Sequence, residues 1–146
     1  DVYKGFQPSL DRYVAIKVLH PSMVEEAEFV IRFQREAKNV ARLRHPNIIQ
    51  VFDYDNQGQT YYMVMEYLDG TDLAAVLQTT GPLPPTRAVD YVLEAAEAIA
   101  EAHSLNIVHR DLKPANLFLA RGPDGSTSIK VLDFGISKAR GERPKS

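Results

Sequence analysis

Three groups of polar residues sit in apolar surroundings, where solvation explains them poorly: Lys17 with Glu36, the run His109 to Asn116, and Asp133-Phe134-Gly135. Lys17 interrupts the apolar run Tyr13 to Leu19 (YVAIKVL), and a buried ammonium is costly unless an anion meets it. Glu36 is the carboxylate on an otherwise apolar helical stripe, so the two charges explain each other. A lysine with its stem along a strand edge and its head in water would account for Lys17 alone. With Glu36 present, the pattern favours an ion pair that holds Lys17 ready for ligand phosphates. The run HRDLKPAN brings Asp111, Lys113 and Asn116 into one short loop. Asp111 can accept or orient a hydroxyl proton, Lys113 can neutralise a phosphoryl group, and Asn116 can offer a neutral oxygen to a divalent cation. Asp133 ends an apolar strand, and Gly135 permits backbone angles closed to other residues. Mg²⁺ takes one or two carboxylates together with phosphate and water oxygens, so Asp133 and Asn116 at neighbouring strand ends make a partial shell.

These side chains need elements to place them. A strand over Tyr13 to Leu19 puts Val14, Ile16 and Val18 on one face, with Ala15 and Lys17 on the other. A helix from about Glu25 to Arg44 carries the stripe Phe29, Phe33, Ala37, Val40 and Leu43, and Glu36 lies along it. Pro46 in His45-Pro46-Asn47 forbids its continuation. Strands are predicted at Ile48 to Tyr54 and Tyr61 to Tyr67, around the turn Asn56-Gln57-Gly58. Beyond Asp69-Gly70 the pattern turns helical. Thr86 to Leu105 reads as a long amphipathic helix through Ala88, Val92, Ala95, Ala96, Ile99 and Ala102, preceded by Pro82, Pro84 and Pro85. Ile107-Val108, Leu117 to Ala120 and Ile129 to Leu132 are predicted short strands, the last two joined by Gly122-Pro123-Asp124-Gly125-Ser126. The change of organisation near Glu66 to Gly70 divides the chain into units 1–67 and 68–146.

Composition narrows the function classes. The 146 residues are 45% hydrophobic and 25% charged, in the range of ordinary globular proteins. Seventeen Lys and Arg against nineteen Asp and Glu leave a formal charge of −2, so no basic field points to nucleic acid or an anionic membrane. The absence of cysteine excludes disulfides and thiolate chemistry. The four histidines, His20, His45, His103 and His109, lack metal-ligand spacing. No apolar run approaches the roughly 18 residues of a membrane span, and the first residues lack a signal-peptide layout, so a cytosol-facing, cytoplasmic location is expected.

The motifs VAIK at Val14 to Lys17, HRDLKPAN at His109 to Asn116 and DFG at Asp133 to Gly135 resemble, in that order, those of eukaryotic-type serine/threonine protein kinases. HPN at His45 to Asn47 and VMEYLDG at Val64 to Gly70 resemble the start of a kinase strand and the hinge. DVYKG and DFGISKA lean toward bacterial members. The resemblance implies an α+β, two-lobed kinase fold, here partial: an antiparallel N-lobe sheet with one helix, then the start of a helical C-lobe. It implies ATP and Mg²⁺ as cofactors, and a protein Ser or Thr hydroxyl as acceptor of the γ-phosphoryl group. It gives Lys17 to the α- and β-phosphates with Glu36 as its partner, Asp111 to the substrate hydroxyl and Lys113 to the γ-phosphate, with Asn116 and Asp133 holding Mg²⁺. Val2, Ala15 and Phe118 resemble the walls of the adenine pocket, Met65 its gatekeeper, and Glu66 to Leu68 the hinge. Val40, Val51, His109 and Phe134 fit a stacked apolar spine, and Arg110 suggests control by phosphorylation.

The chain also departs from the family pattern. It starts where the glycine-rich loop should end, at Val2, and stops soon after Gly135, before the substrate-binding helices. An incomplete piece is therefore expected, with little or no turnover alone and with apolar surface exposed on the long helix. Ser137 and Ser146 are not assigned as regulatory. The alternative is a pseudokinase or ATP-binding scaffold, against which stand Lys17, Asp111, Asn116 and Asp133.

Overall fold

The computed structural model describes residues 1–19 and 27–134, with every side chain of the first helix except those of Glu28, Arg32 and Glu36. The first unit is a sheet of four antiparallel strands: β1 (Val2–Gln7), β2 (Arg12–Val18), β3 (Val51–Gln57) and β4 (Thr60–Glu66), in the order β1-β2-β4-β3. β1, which the sequence reading did not anticipate, is joined to β2 by a short 3-10 turn at Pro8–Leu10 closed by Asp11 in the left-handed conformation. Helix α1 (Ala27–Ala41) buries Phe29, Phe33, Ala37 and Val40. That is the expected stripe, and each large side chain removed from water contributes roughly 1.5–3 kcal/mol. Leu43, just past the helix, is buried with them.

Register decides which residues share a face. Val2 lies opposite Lys17 and Lys4 opposite Ala15, while Ala15 lies opposite Met65 and Lys17 opposite Met63. Directly opposed residues of an antiparallel pair project to the same side. Val2, Ala15, Lys17 and Met65 therefore leave the sheet together.

The second unit holds β5 (Gly70–Asp72), α2 (Leu73–Thr80), α3 (Pro85–Ser104), β6 (Leu117–Arg121) and β7 (Thr127–Val131), with sheet order β5-β6-β7. β5 was also unforeseen. Gly70 there has φ of 135°, and a Cβ on it would stand 2.0 Å from the carbonyl oxygen of Leu119, so only glycine fits. Asp72 caps α2, its carboxylate accepting from the Ala75 N–H at 2.9 Å.

Three expectations need correction. The strand predicted from Ile48 begins only at Val51; Ile48 instead forms a parallel bridge with Val131 of the second sheet. Asn47 and Ile49 also bond there: Val131 N–H donates to Asn47 O at 2.7 Å and Ile49 N–H to Val131 O at 3.1 Å. Pairing with a strand distant in sequence is not encoded locally. Ile107-Val108 is not a strand. Asn106 takes φ of 60°, the Asn106 N–H donates to His103 O at 3.0 Å and the Ile107 N–H to Ala102 O at 2.9 Å. These are the bonds of a Schellman cap, so Ile107 finishes α3 rather than starting a strand. Finally, α3 buries Tyr91, Ala95, Ala98 and Ala102, leaving Val92 and Ala96 exposed. Val89, Val92 and Leu93 stand in water at 57%, 63% and 58% exposure, so this helix does present an apolar face. No helix among the described residues is long and apolar enough to cross a membrane.

Candidate active site

A cavity of about 320 Å³ lies against the shared face of the first sheet. Val2, Ala15, Lys17, Met65, Glu66, Leu68, Phe118 and Asp133 all line it, so eight sequence-selected residues meet in one place. The strand register supplies the first four, the end of β4 Glu66 and the segment after it Leu68, and β6 Phe118. Tyr67 of the expected hinge also lines it, and Tyr3, Lys4, Ile49 and Leu132, which were not singled out from sequence, complete the lining. Lys4 could have been: it follows Val2 by two residues, the spacing that keeps a strand residue on one face. Its ammonium lies 4.3 Å from the ring centre of Tyr13 and 4.5 Å from that of Tyr67, a cation held by two aromatic faces.

Lys17 Nζ lies 2.9 Å from Asp133 Oδ1. The ion pair joins β2 to the segment after β7 and closes the polar end of the cavity. Sequence reading gave Lys17 a different partner, Glu36, whose side chain lies outside the described residues, as does Gly135. Asp133 has φ of 55° and Arg110 φ of 69°. Side chains rarely accept this left-handed region, and it concentrates at functional loops where surrounding structure holds it.

His109, Asp111, Lys113 and Asn116 form a connected loop beside the cavity. His109 is buried and its Nε2–H donates to Leu132 O at 2.6 Å, while its Nδ1 accepts from the Asp111 N–H at 3.1 Å. A carbonyl can only accept and an N–H only donate, so the ring is the neutral tautomer protonated on Nε2. Its ring centre is 4.7 Å from that of Phe134, which is also buried. Val40 and Val51, the other expected spine residues, are buried in the same core. Asn116 Nδ2 donates to Asp111 O at 2.8 Å and reaches its Oδ2 at 3.4 Å. Lys113 Nζ stands 3.5 Å from Asp111 Oδ2. The Asp111 carboxylate is thus oriented by an amide and a cation, and the remaining acceptor of Asn116 is its amide oxygen.

The donor set suits Mg²⁺: one carboxylate oxygen donor from Asp133 and one neutral amide oxygen from Asn116. No group of three or more His, Cys, Asp or Glu side chains is assembled among the described residues. A hard cation here would share its shell with ligand oxygens and water.

Comparison with known proteins agrees with this fold. The family model described as protein kinase domain matches residues 1–145. The chain is 41% identical over 134 residues to serine/threonine-protein kinase PknB of Mycobacterium leprae, covering 89% of this chain and 21% of that protein. It is 42% identical over 139 residues to PrkC of Bacillus subtilis, covering 95% and 21%. The chain therefore spans about a fifth of the length of these curated relatives. Among solved structures, the kinase domain of PknI from Mycobacterium tuberculosis superposes with a TM-score of 0.83 at 35% identity, covering 94% of this chain and 55% of that one. The α+β fold is that of a protein kinase domain, and with the family model matching nearly every residue, the chain belongs to the protein kinase family.

Proposed function

We propose that the cavity binds ATP together with Mg²⁺, and that the protein transfers the γ-phosphoryl group to Ser or Thr hydroxyls of other proteins. The observation that carries the reading is the meeting of Lys17 and Asp133 at one end of an apolar cavity, beside the loop that orients Asp111. Relatives named serine/threonine-protein kinases support the same acceptor class.

The adenine ring suits the apolar part between Val2, Ala15 and Phe118, with Met65 at the back and the backbone of Glu66 to Leu68 able to bond its edge. Lys17 meets the α- and β-phosphates, for which it must leave or share Asp133. Glu36 is the carboxylate we assign to hold Lys17 at that stage. Asp133 and Asn116 would hold Mg²⁺, which supplies charge neutralisation of the phosphate oxygens when bound. The acceptor hydroxyl oxygen forms a bond to the γ-phosphorus as the bond to the β,γ-bridging oxygen breaks. ADP leaves with the electron pair, and the hydroxyl proton passes to Asp111. Lys113, beside that carboxylate, neutralises the group in transfer. Rate acceleration then comes from positioning and electrostatics, without a covalent enzyme intermediate.

The test is incubation of the full-length protein with γ-labelled ATP, Mg²⁺ and a Ser/Thr test peptide. Label on Ser or Thr that disappears with chelator and with Asp111→Asn is expected. Undiminished transfer in Asp111→Asn would overturn its role.

A further inference from the structure

Among the described residues, two ion pairs run from the first sheet to the second unit beside the cavity, and one of them has a role already given to both of its members. The first is Lys17–Asp133. The second joins Glu66, the last residue of β4, to Lys130 of β7: Lys130 Nζ lies 3.3 Å from Glu66 Oε1, with the two side chains 18% and 25% exposed.

Taking the cavity as an ATP site, we propose that Lys130 is a positioning residue for nucleotide binding, which fixes the hinge at Glu66 relative to the cavity floor at Phe118. Lys130 is not among the lining residues, yet it is tied to two of them. It lies directly opposite Phe118 in the β6–β7 pair, so both side chains leave the sheet on the same side. Glu66 is held from the other direction by Gln50. The Gln50 N–H donates to Glu66 Oε1 at 2.9 Å, and the Glu66 N–H donates to Gln50 O at 2.9 Å. The oxygen that meets Lys130 is therefore the one that also bonds the Gln50 backbone. Rim and floor of the cavity are linked through a single carboxylate oxygen.

The two ion pairs differ in what a ligand does to them. Phosphates and a divalent cation compete for Lys17 and Asp133, so that link rearranges on binding. Glu66 offers the nucleotide its backbone, which leaves its carboxylate with Lys130 throughout. Removing the ammonium leaves a half-buried carboxylate without its counter-charge, and turning it toward water gives up the Gln50 bond as well. The Glu66 to Leu68 backbone then has to be ordered by the ligand, which weakens binding.

The experiment uses the full-length protein with Lys130→Met, which keeps the aliphatic stem, Lys130→Arg, which keeps the charge, and Glu66→Gln, which keeps an acceptor for Gln50. Lys130→Met should raise the KM for ATP, and the Kd for ATP with Mg²⁺ by calorimetry, about fivefold, a small ion-pair effect. The KM for a Ser/Thr test peptide should stay put, kcat should change less than the ATP KM, and Lys130→Arg should return the ATP KM most of the way. Glu66→Gln should reproduce the defect, and the double variant should be no worse than either single one. An ATP KM and Kd for Lys130→Met equal to wild type would overturn the inference and leave the ATP reading standing. A wild-type protein that binds no ATP would remove both. Should Lys130→Met not fold, Glu66→Gln decides alone, and unchanged ATP binding there overturns the proposal.

Discussion

The ammonium of Lys17 and the carboxylate of Asp133 are 2.9 Å apart although 116 positions separate them in sequence. Each is the other's counter-ion in the cavity, and each is assigned to a different part of the ATP–Mg²⁺ complex. Under the proposed ATP–Mg²⁺ reading, ligand binding would exchange one set of charge partners for another.

Replacing either member should slow the chemistry sharply while leaving the sheets intact. Lys17→Met and Asp133→Asn in the full-length protein are each expected to lower phosphoryl transfer by about 10²- to 10³-fold, the scale of removing one preorganised charge. Steady-state rates with γ-labelled ATP check this, and circular dichroism checks the fold. A wild-type rate in either variant would remove the assigned roles.

Gly70→Ala should cost stability rather than chemistry alone. The backbone sits at φ of 135° and the new methyl would meet the Leu119 carbonyl oxygen at 2.0 Å, so β5 must part from β6. Strain and lost pairing together suggest about 2–4 kcal/mol. Urea unfolding would show it as a lower midpoint, and an unshifted midpoint would contradict the close approach.

Asn47 is one polar fastening of the segment before β3 to β7. Its Nδ2 donates to Ile129 O at 2.9 Å and approaches Glu94 Oε1 at 3.4 Å, with the residue buried. Asn47→Ala should cost about 1–3 kcal/mol by leaving the Ile129 carbonyl without that donor. Asn47→Asp should cost more, because a carboxylate would face two acceptors. Comparing the two by denaturant unfolding separates lost bonding from repulsion.

Tyr54 predicts a pH effect. Burial against α1 pushes its phenol above the ordinary value of 10.0, nearby Tyr61 adds to the rise, and Gln34 partly offsets it. A raised folded value means the neutral form is favoured by folding. The associated stability is complete below about pH 10 and is lost as pH rises through the folded value. Tyr54→Phe should remove this component, and absorbance titration of the phenolate should show one late-titrating tyrosine disappear.

Much of the site was readable from local pattern. The α1 stripe Phe29, Phe33, Ala37 and Val40 follows from helical spacing, and the placement of Ala15 and Lys17 on one strand face from alternation. The motif residues stood out because charged side chains at fixed spacing in apolar surroundings carry the resemblance to the protein kinase family. Tyr3, Ile49 and Leu132 did not, since an apolar residue beside a cavity looks like one in a core.

Local pattern alone was enough to locate α1 and α3, to mark Lys17 as a charge in an apolar run, and to point to the family to which the chain belongs. Tertiary structure decided the pairings. Ile48 left its predicted strand because Val131 offered a bridge, and Ile107 was taken by the cap of α3. Packing also brought Lys17 to Asp133 and Glu66 to Lys130. The physical reason is common to all four. Periodicity reports only on neighbours along one element, whereas a hydrogen bond or ion pair depends on which distant segment packs within about 3 Å of it.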